Sequence, residues 1–126
     1  MVPPKEDKYT DNPRLTKAFK RLEKKLTIEI LFLWVIRLLK DGPKYAYELK
    51  QEFQDRFGFS PATVTNYTVL YLLEKEGIVK RTEVVVDDER IDRKYYALTE
   101  LGEKLFEECK IFLEDTFSIL FSDLKS

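Results

Sequence analysis

The sequence predicts a mainly α-helical domain carrying one small β-hairpin. Three observations predict it. From residue 13 to 76, apolar residues recur at spacings of three and four in segments punctuated by proline and glycine. From Ile78 to Val86 the pattern becomes β-branched and alternating, reverses at Asp87-Asp88-Glu89-Arg90, and returns over Ile91 to Leu98. From Thr99 the helical spacing resumes. At 126 residues, 44% hydrophobic and 36% charged, the chain suits one domain with a modest core.

Residues 1–12 are polar and flanked by proline, and are expected to form a flexible arm. Asn12-Pro13 joins a capping side chain to a proline at the first helical position, which predicts a helix over 13–26. Leu15, Ala18, Phe19, Leu22 and Leu26 give it an apolar stripe, with Lys17, Lys20, Arg21, Lys24 and Lys25 between them. After Thr27 the run Ile28, Ile30 to Ile36, Leu38 and Leu39 leaves almost no polar face. A helix apolar all round must be covered on more than one side, and in so short a chain the second cover is expected from another subunit.

Asp41-Gly42-Pro43 ends that helix, because glycine suits the left-handed position past a C-terminus and proline cannot continue the helix. The next helix is expected from about Pro43 to Phe57, with Tyr45, Leu49, Phe53 and Phe57 on one stripe. Gly58-Phe59-Ser60 is the turn. Ser60 with Pro61 is expected to cap a third helix reaching Glu76, with Leu70, Leu72 and Leu73 in the core. Two helices joined by a glycine-containing turn make a helix-turn-helix, although plain helical hairpins share the pattern. A lone hairpin is marginal and needs a surface to pack on. The helix pair supplies it, so residues 27–98 are predicted to form a winged helix-turn-helix.

Thr99 is expected to cap a final helix over 99–126, with Glu100 and Glu103 favourably placed in its first turn. Its apolar residues exceed what one winged helix can cover, and exposed patches of that size mark an interface. A homodimer is therefore expected, through Leu31, Trp34, Phe106, Cys109, Phe112, Leu113, Phe117 and Leu120. Cys109 is read as a small apolar residue, with a redox role as the alternative, and Trp34 as interface core, with ligand stacking as the alternative.

Other classes find little support. The chain has no histidine and one cysteine, and its carboxylates are paired with no identifiable nucleophile, metal set or phosphate-binding loop. Neither enzyme activity nor a metal or other cofactor is expected. The richest apolar run is interrupted by Glu29 and Arg37, so no membrane span is expected, and the opening residues lack a signal-peptide core, which makes a cytoplasmic location the default. Net charge is −1, but its distribution is uneven: residues 1–25 carry eight basic against four acidic groups, and residues 100–126 carry three against seven. The two ends suit each other or different partners. Solvated helix faces would look the same.

From about Ile30 to Leu113 the chain resembles the PadR-like transcriptional regulators. The resemblance rests on Leu39, Gly42, Pro43 and Tyr47-Glu48-Leu49, on Ser60-Pro61 with Thr65, Tyr67, Leu70, Leu73, Glu74 and Gly77, and on Arg93-Lys94-Tyr95-Tyr96-Ala97-Leu98-Thr99 with Gly102. The last block is the most specific. The chain departs from the family pattern at Ala46, Asn66 and Thr68, and its wing tip is acidic. The resemblance implies a DNA-binding regulator, a repressor in most relatives, that dimerises through its terminal helices. A two-fold dimer would place two reading helices about one DNA turn apart. Whether a small-molecule effector exists is left open.

The residues themselves suggest how double-stranded DNA would be held. Helix 61–76 is expected to read the major groove through Thr63, Thr65, Asn66 and Thr68, with Tyr67 and Tyr71 as packing residues whose hydroxyls reach the rim and a phosphate near Ser60 and Ala62. Asparagine suits adenine and a threonine methyl suits thymine, which leans toward A·T-rich sites. Wing 78–98 would grip the backbone, with phosphate contacts from Lys44, Lys50, Lys80, Arg81, Arg90, Arg93 and Lys94. From residue 80 to 96 five basic groups face five acidic ones, so the basic helix of residues 14–25 is available to supply charge that the wing lacks. The alternative is a winged-helix module that binds protein in a transcription-related assembly.

Overall fold

The computed structural model describes residues 9–82 and 94–124. The chain divides into two units between Leu31 and Phe32.

In the first unit the predicted basic helix forms later than Asn12-Pro13 suggests. Asn12 caps only a tight turn, Pro13–Leu15, by accepting from the Arg14 N–H at 3.1 Å. Thr16 is extended, and its hydroxyl accepts from the Phe19 N–H at 3.1 Å. This second cap starts α1, Lys17–Leu26. Thr27 ends it by donating to the Glu23 carbonyl at 2.6 Å, and a short turn, Ile28–Ile30, follows.

The second unit is built on α2 (Leu31–Leu39), which begins one residue before the division. Val35, Ile36, Leu38 and Leu39 are all buried. Cover for this helix therefore comes from the chain itself, and the expectation that a second subunit must supply it is corrected. Trp34 is packed edge-on against Phe57 and Phe59, at 4.7 and 5.3 Å between ring centres, and Phe53 and Phe57 lie 5.9 Å apart in the same cluster. Full burial of Phe53 contributes about 1.5–3 kcal/mol, more than an exposed ion pair does, and the half-buried Trp34, Phe57 and Phe59 add to it.

The helix expected from Pro43 starts three residues later. Lys44 and Tyr45 form a short strand, β1, opposite Tyr96 and Tyr95, a pairing with no local signal in the sequence. Then α3 (Ala46–Glu52) starts with Glu48 accepting from the Tyr45 N–H at 3.2 Å, and widens into a π turn, Phe53–Phe57. Next comes α4 (Thr63–Lys75). Ser60 does not cap it: the capping position is Ala62, and no side chain bonds to the helix start there. Gly77 ends α4 in the left-handed conformation, φ 79°, where its N–H reaches the Glu74 carbonyl and the Ile78 N–H reaches that of Leu73.

Strands β2 (Val79–Thr82) and β3 (Tyr95–Leu98) pair antiparallel, Val79 opposite Leu98 and Thr82 opposite Tyr95. The sheet thus has three strands in the order β1-β3-β2, one more than the predicted hairpin. The hairpin turn, with the expected outer parts of both strands, lies outside the described residues. Thr99 caps α5 (Glu100–Leu120) as expected, accepting from the Gly102 N–H at 3.1 Å. Its hydroxyl also donates to the Gly77 carbonyl at 2.6 Å, so one side chain ties the end of α4 to the start of α5. Among the described residues no helix is long and apolar enough to cross a membrane.

Candidate nucleic-acid interface

The solvent face of α4 decides what this unit can offer a groove. Leu70 and Leu73 are buried, and helical geometry therefore turns Thr63, Val64, Tyr67, Thr68, Tyr71 and Leu72 outward. Val64 is the most open of these, at 77% exposed. Leu72 lies on the same open face, which corrects its expected core position, and Tyr71, read from sequence as a packing residue, is also exposed.

The polar groups on α4 are not where the sequence suggests. Asn66 is only 2% exposed, and its amide donates inward to the Ala46 carbonyl at 3.3 Å. It faces α3 and offers nothing to a groove, which corrects its place among the reading residues. Thr65 is half-buried. Thr63 is exposed but accepts from the Lys50 ammonium at 3.0 Å, and Thr68 donates back to the Val64 carbonyl at 2.9 Å. The open face is therefore richer in apolar and aromatic surface than in free hydrogen-bonding groups. Ser60 is exposed in the turn before α4. Neither Val64 nor Tyr71 carries a residue-type signal for groove reading; packing of α4 against α3 decides that they lie open.

Cations on the sheet divide into engaged and free. Lys44 is paired with Glu52 at 2.9 Å and is largely buried, so its charge is spent within the unit. Arg81, opposite Tyr96 on the other edge, is paired with Glu74 of α4 at 2.7 Å. That carboxylate raises the Arg81 pKa. Burial raises the Tyr96 phenol, with Arg81 pulling the other way. Lys80 and Lys94 are exposed. Arg90 and Arg93 lie outside the described residues.

The expected dimer residues also separate. Leu31 is buried, and Trp34 is half-buried against Phe57 and Phe59 of its own chain. Phe112, Phe117 and Leu120 are exposed on α5, while Cys109 and Leu113 are half-buried. Phe106 is half-buried beneath the Lys40 ammonium, 4.7 Å from its ring centre. Burial, assisted by Glu108, raises the Cys109 thiol, which makes it a poor nucleophile.

Comparison with known proteins agrees with this architecture. The model of the transcriptional regulator PadR-like family matches residues 35–108. An uncharacterized protein of Lysinibacillus sphaericus is 33% identical over 76 residues, covering 59% of this chain and 69% of its own. Among solved structures, a transcriptional regulator from Clostridium thermocellum aligns with a TM-score of 0.65 at 21% identity, over 88% of this chain and 99% of that one. A PadR family transcription regulator from hypervirulent Clostridium difficile aligns with a TM-score of 0.63 at 22% identity, over 71% and 92% of the two chains. At these identities the structures speak for the fold, which is a winged helix.

Proposed function

Because the chain belongs to the PadR-like family of transcriptional regulators, we propose that it acts as a homodimeric, sequence-specific DNA-binding repressor, with α4 in the major groove and the β2–β3 wing on the backbone. The observation that carries this reading is the uncovered outer face of α4. Val64 and the Thr68 methyl suit thymine methyls, and the Tyr67 and Tyr71 hydroxyls suit phosphate or base edges. Lys80 and Lys94 provide backbone contacts from the wing. Arg90 and Arg93 are proposed beside them, with Ser60 and Thr63 near the start of α4.

The exposed apolar face of α5 supports the homodimeric part of this reading. Phe112, Phe117 and Leu120, together with Ile111, Ile119 and Phe121, leave α5 with more exposed apolar surface than a lone subunit would keep in water. A two-fold dimer through this helix would present two reading helices to one duplex.

A second reading draws on the same face. Val64, Tyr67, Tyr71 and Leu72 form an apolar patch that a protein partner could also cover. Mobility shifts on promoter fragments separate the two. Val64→Ala with Tyr67→Ala is expected to weaken binding and reduce the preference among promoter sequences while helix content is unchanged. No binding at low salt, or an unchanged preference in the double variant, would reject groove reading.

A further inference from the structure

Helix α1 divides cleanly by face. Lys17, Lys20, Arg21, Lys24 and Lys25 recur at three and four and fall on one side, while Phe19, Leu22 and Leu26 fall on the other. All five cations are exposed. Only Lys25 has an ionic partner among the described residues, Glu29 at 3.0 Å. With Glu29 the five line a shallow groove of about 410 Å³.

The contrast with the second unit is what gives this stripe meaning. There Arg37 and Arg56 share Asp41, Lys40 holds Glu103, Lys44 holds Glu52 and Arg81 holds Glu74. Lys50 is hydrogen-bonded to Thr63. Among the described residues of that unit most cations are ion-paired, and Lys50, Lys75, Lys80 and Lys94 are exposed without an ionic partner but scattered. Among the described residues, aligned cations without an ionic partner are concentrated on α1.

Resting on the DNA-binding reading above, we propose that α1 is a second DNA-contacting element, which holds the phosphate backbone and supplies most of the salt-dependent part of the affinity. From Lys17 to Lys24 the helix rises about 10 Å, which matches about three phosphate-to-phosphate steps of 3.4 Å along the duplex axis, enough for its four cations to meet one phosphate each. α1 is joined to α2 through Thr27 and the Ile28–Ile30 turn, so once α4 has docked its contact is intramolecular and gains from a high effective concentration. Phosphate contacts carry no sequence information, so α1 strengthens binding to every sequence alike. A lipid surface fits less well. A membrane-lying helix buries its apolar face, yet here Phe19 and Leu26 are already half-covered, and Phe19 lies against the Arg14 guanidinium.

The test is the salt dependence of binding by the full chain to a random-sequence DNA duplex. Each phosphate contact contributes about 0.9 to the logarithmic salt slope, so K17Q/K20Q/R21Q/K24Q is expected to lower it by up to about 3.6 per protomer. Glutamine is a good helix former, and circular dichroism checks that α1 persists. K17R/K20R/K24R keeps the charge and is expected to keep the slope. An unchanged slope in the glutamine variant overturns the proposal, as does loss of binding to phosphatidylserine–phosphatidylcholine vesicles with DNA binding intact. If the natural chain binds no DNA, this proposal falls together with the DNA-binding reading. If it binds DNA and responds to Val64→Ala with Tyr67→Ala but not to the glutamine variant, this proposal alone falls.

Discussion

The side-chain amide of Asn66 donates to the backbone carbonyl of Ala46, joining the first half of α4 to the first residue of α3. Its own carbonyl oxygen is buried and has no hydrogen-bonding partner among the described residues. A hydrogen bond here sets how the two helices of the helix-turn-helix cross, at a depth where any unmatched polar group is costly.

Asn66→Asp is therefore expected to destabilise the fold by about 2–3 kcal/mol or more, because it removes the donor and buries a carboxylate beside a carbonyl. Burial would raise that carboxyl's folded pKa above its unfolded value. The variant should then be most stable in acid and lose stability as pH rises above about 3.9. Urea unfolding at several pH values measures this; a loss that does not vary with pH would contradict it.

Gly102 sits where the first turn of α5 crosses the start of β2. A Cβ there would collide with the Ile78 carbonyl oxygen, which is backbone and cannot rotate away. Gly102→Ala is expected to cost about 1–3 kcal/mol despite alanine's better helix propensity. Thermal unfolding would show a lowered midpoint, whereas a raised one would mean that α5 shifts freely.

Asp41 lies between two guanidiniums. The hydrogen bond from Arg56, with Arg37 assisting, lowers its carboxyl below 3.8, although partial desolvation opposes the shift. A depressed folded pKa contributes stability above the unfolded value that is lost as pH falls through the folded one. Asp41→Asn should accordingly lower stability slightly at neutral pH and flatten the acid limb, so that the two proteins converge as pH falls below about 4. Parallel acid limbs for the two proteins would show that the pair adds nothing.

Phe112 is 67% exposed on α5. If α5 forms the dimer, Phe112→Asp should yield a monomer of unchanged helix content, since a buried unpaired charge at an interface is costly. Light scattering at micromolar concentration reads the result directly. A natural chain that is already monomeric there would sink the dimer.

Much of the fold was legible in the chain. Glycine and proline punctuation located the end of α2 and the turn before α4, and Thr99 capped α5 as its position beside Glu100 and Glu103 suggested. Helix starts were less legible where two candidates competed: Asn12-Pro13 made only a short turn and Thr16 took the helix, while Ser60 lost the cap to Ala62. The strand at Lys44 and Tyr45 was not legible, because two residues carry no periodicity and the pairing partner lies some fifty residues away.

Periodicity alone determined that helices, a turn and a hairpin follow one another in this order, because local spacing and capping depend on near neighbours. Tertiary structure decided which side chains are left to act. The chain's own aromatic cluster covers Trp34, the phase of α4 turns Asn66 inward and Val64 outward, and ion pairs consume Lys44 and Arg81 while leaving Lys17, Lys20, Arg21 and Lys24 open. Burial and pairing depend on residues far apart in sequence, so no reading of neighbours could have assigned them.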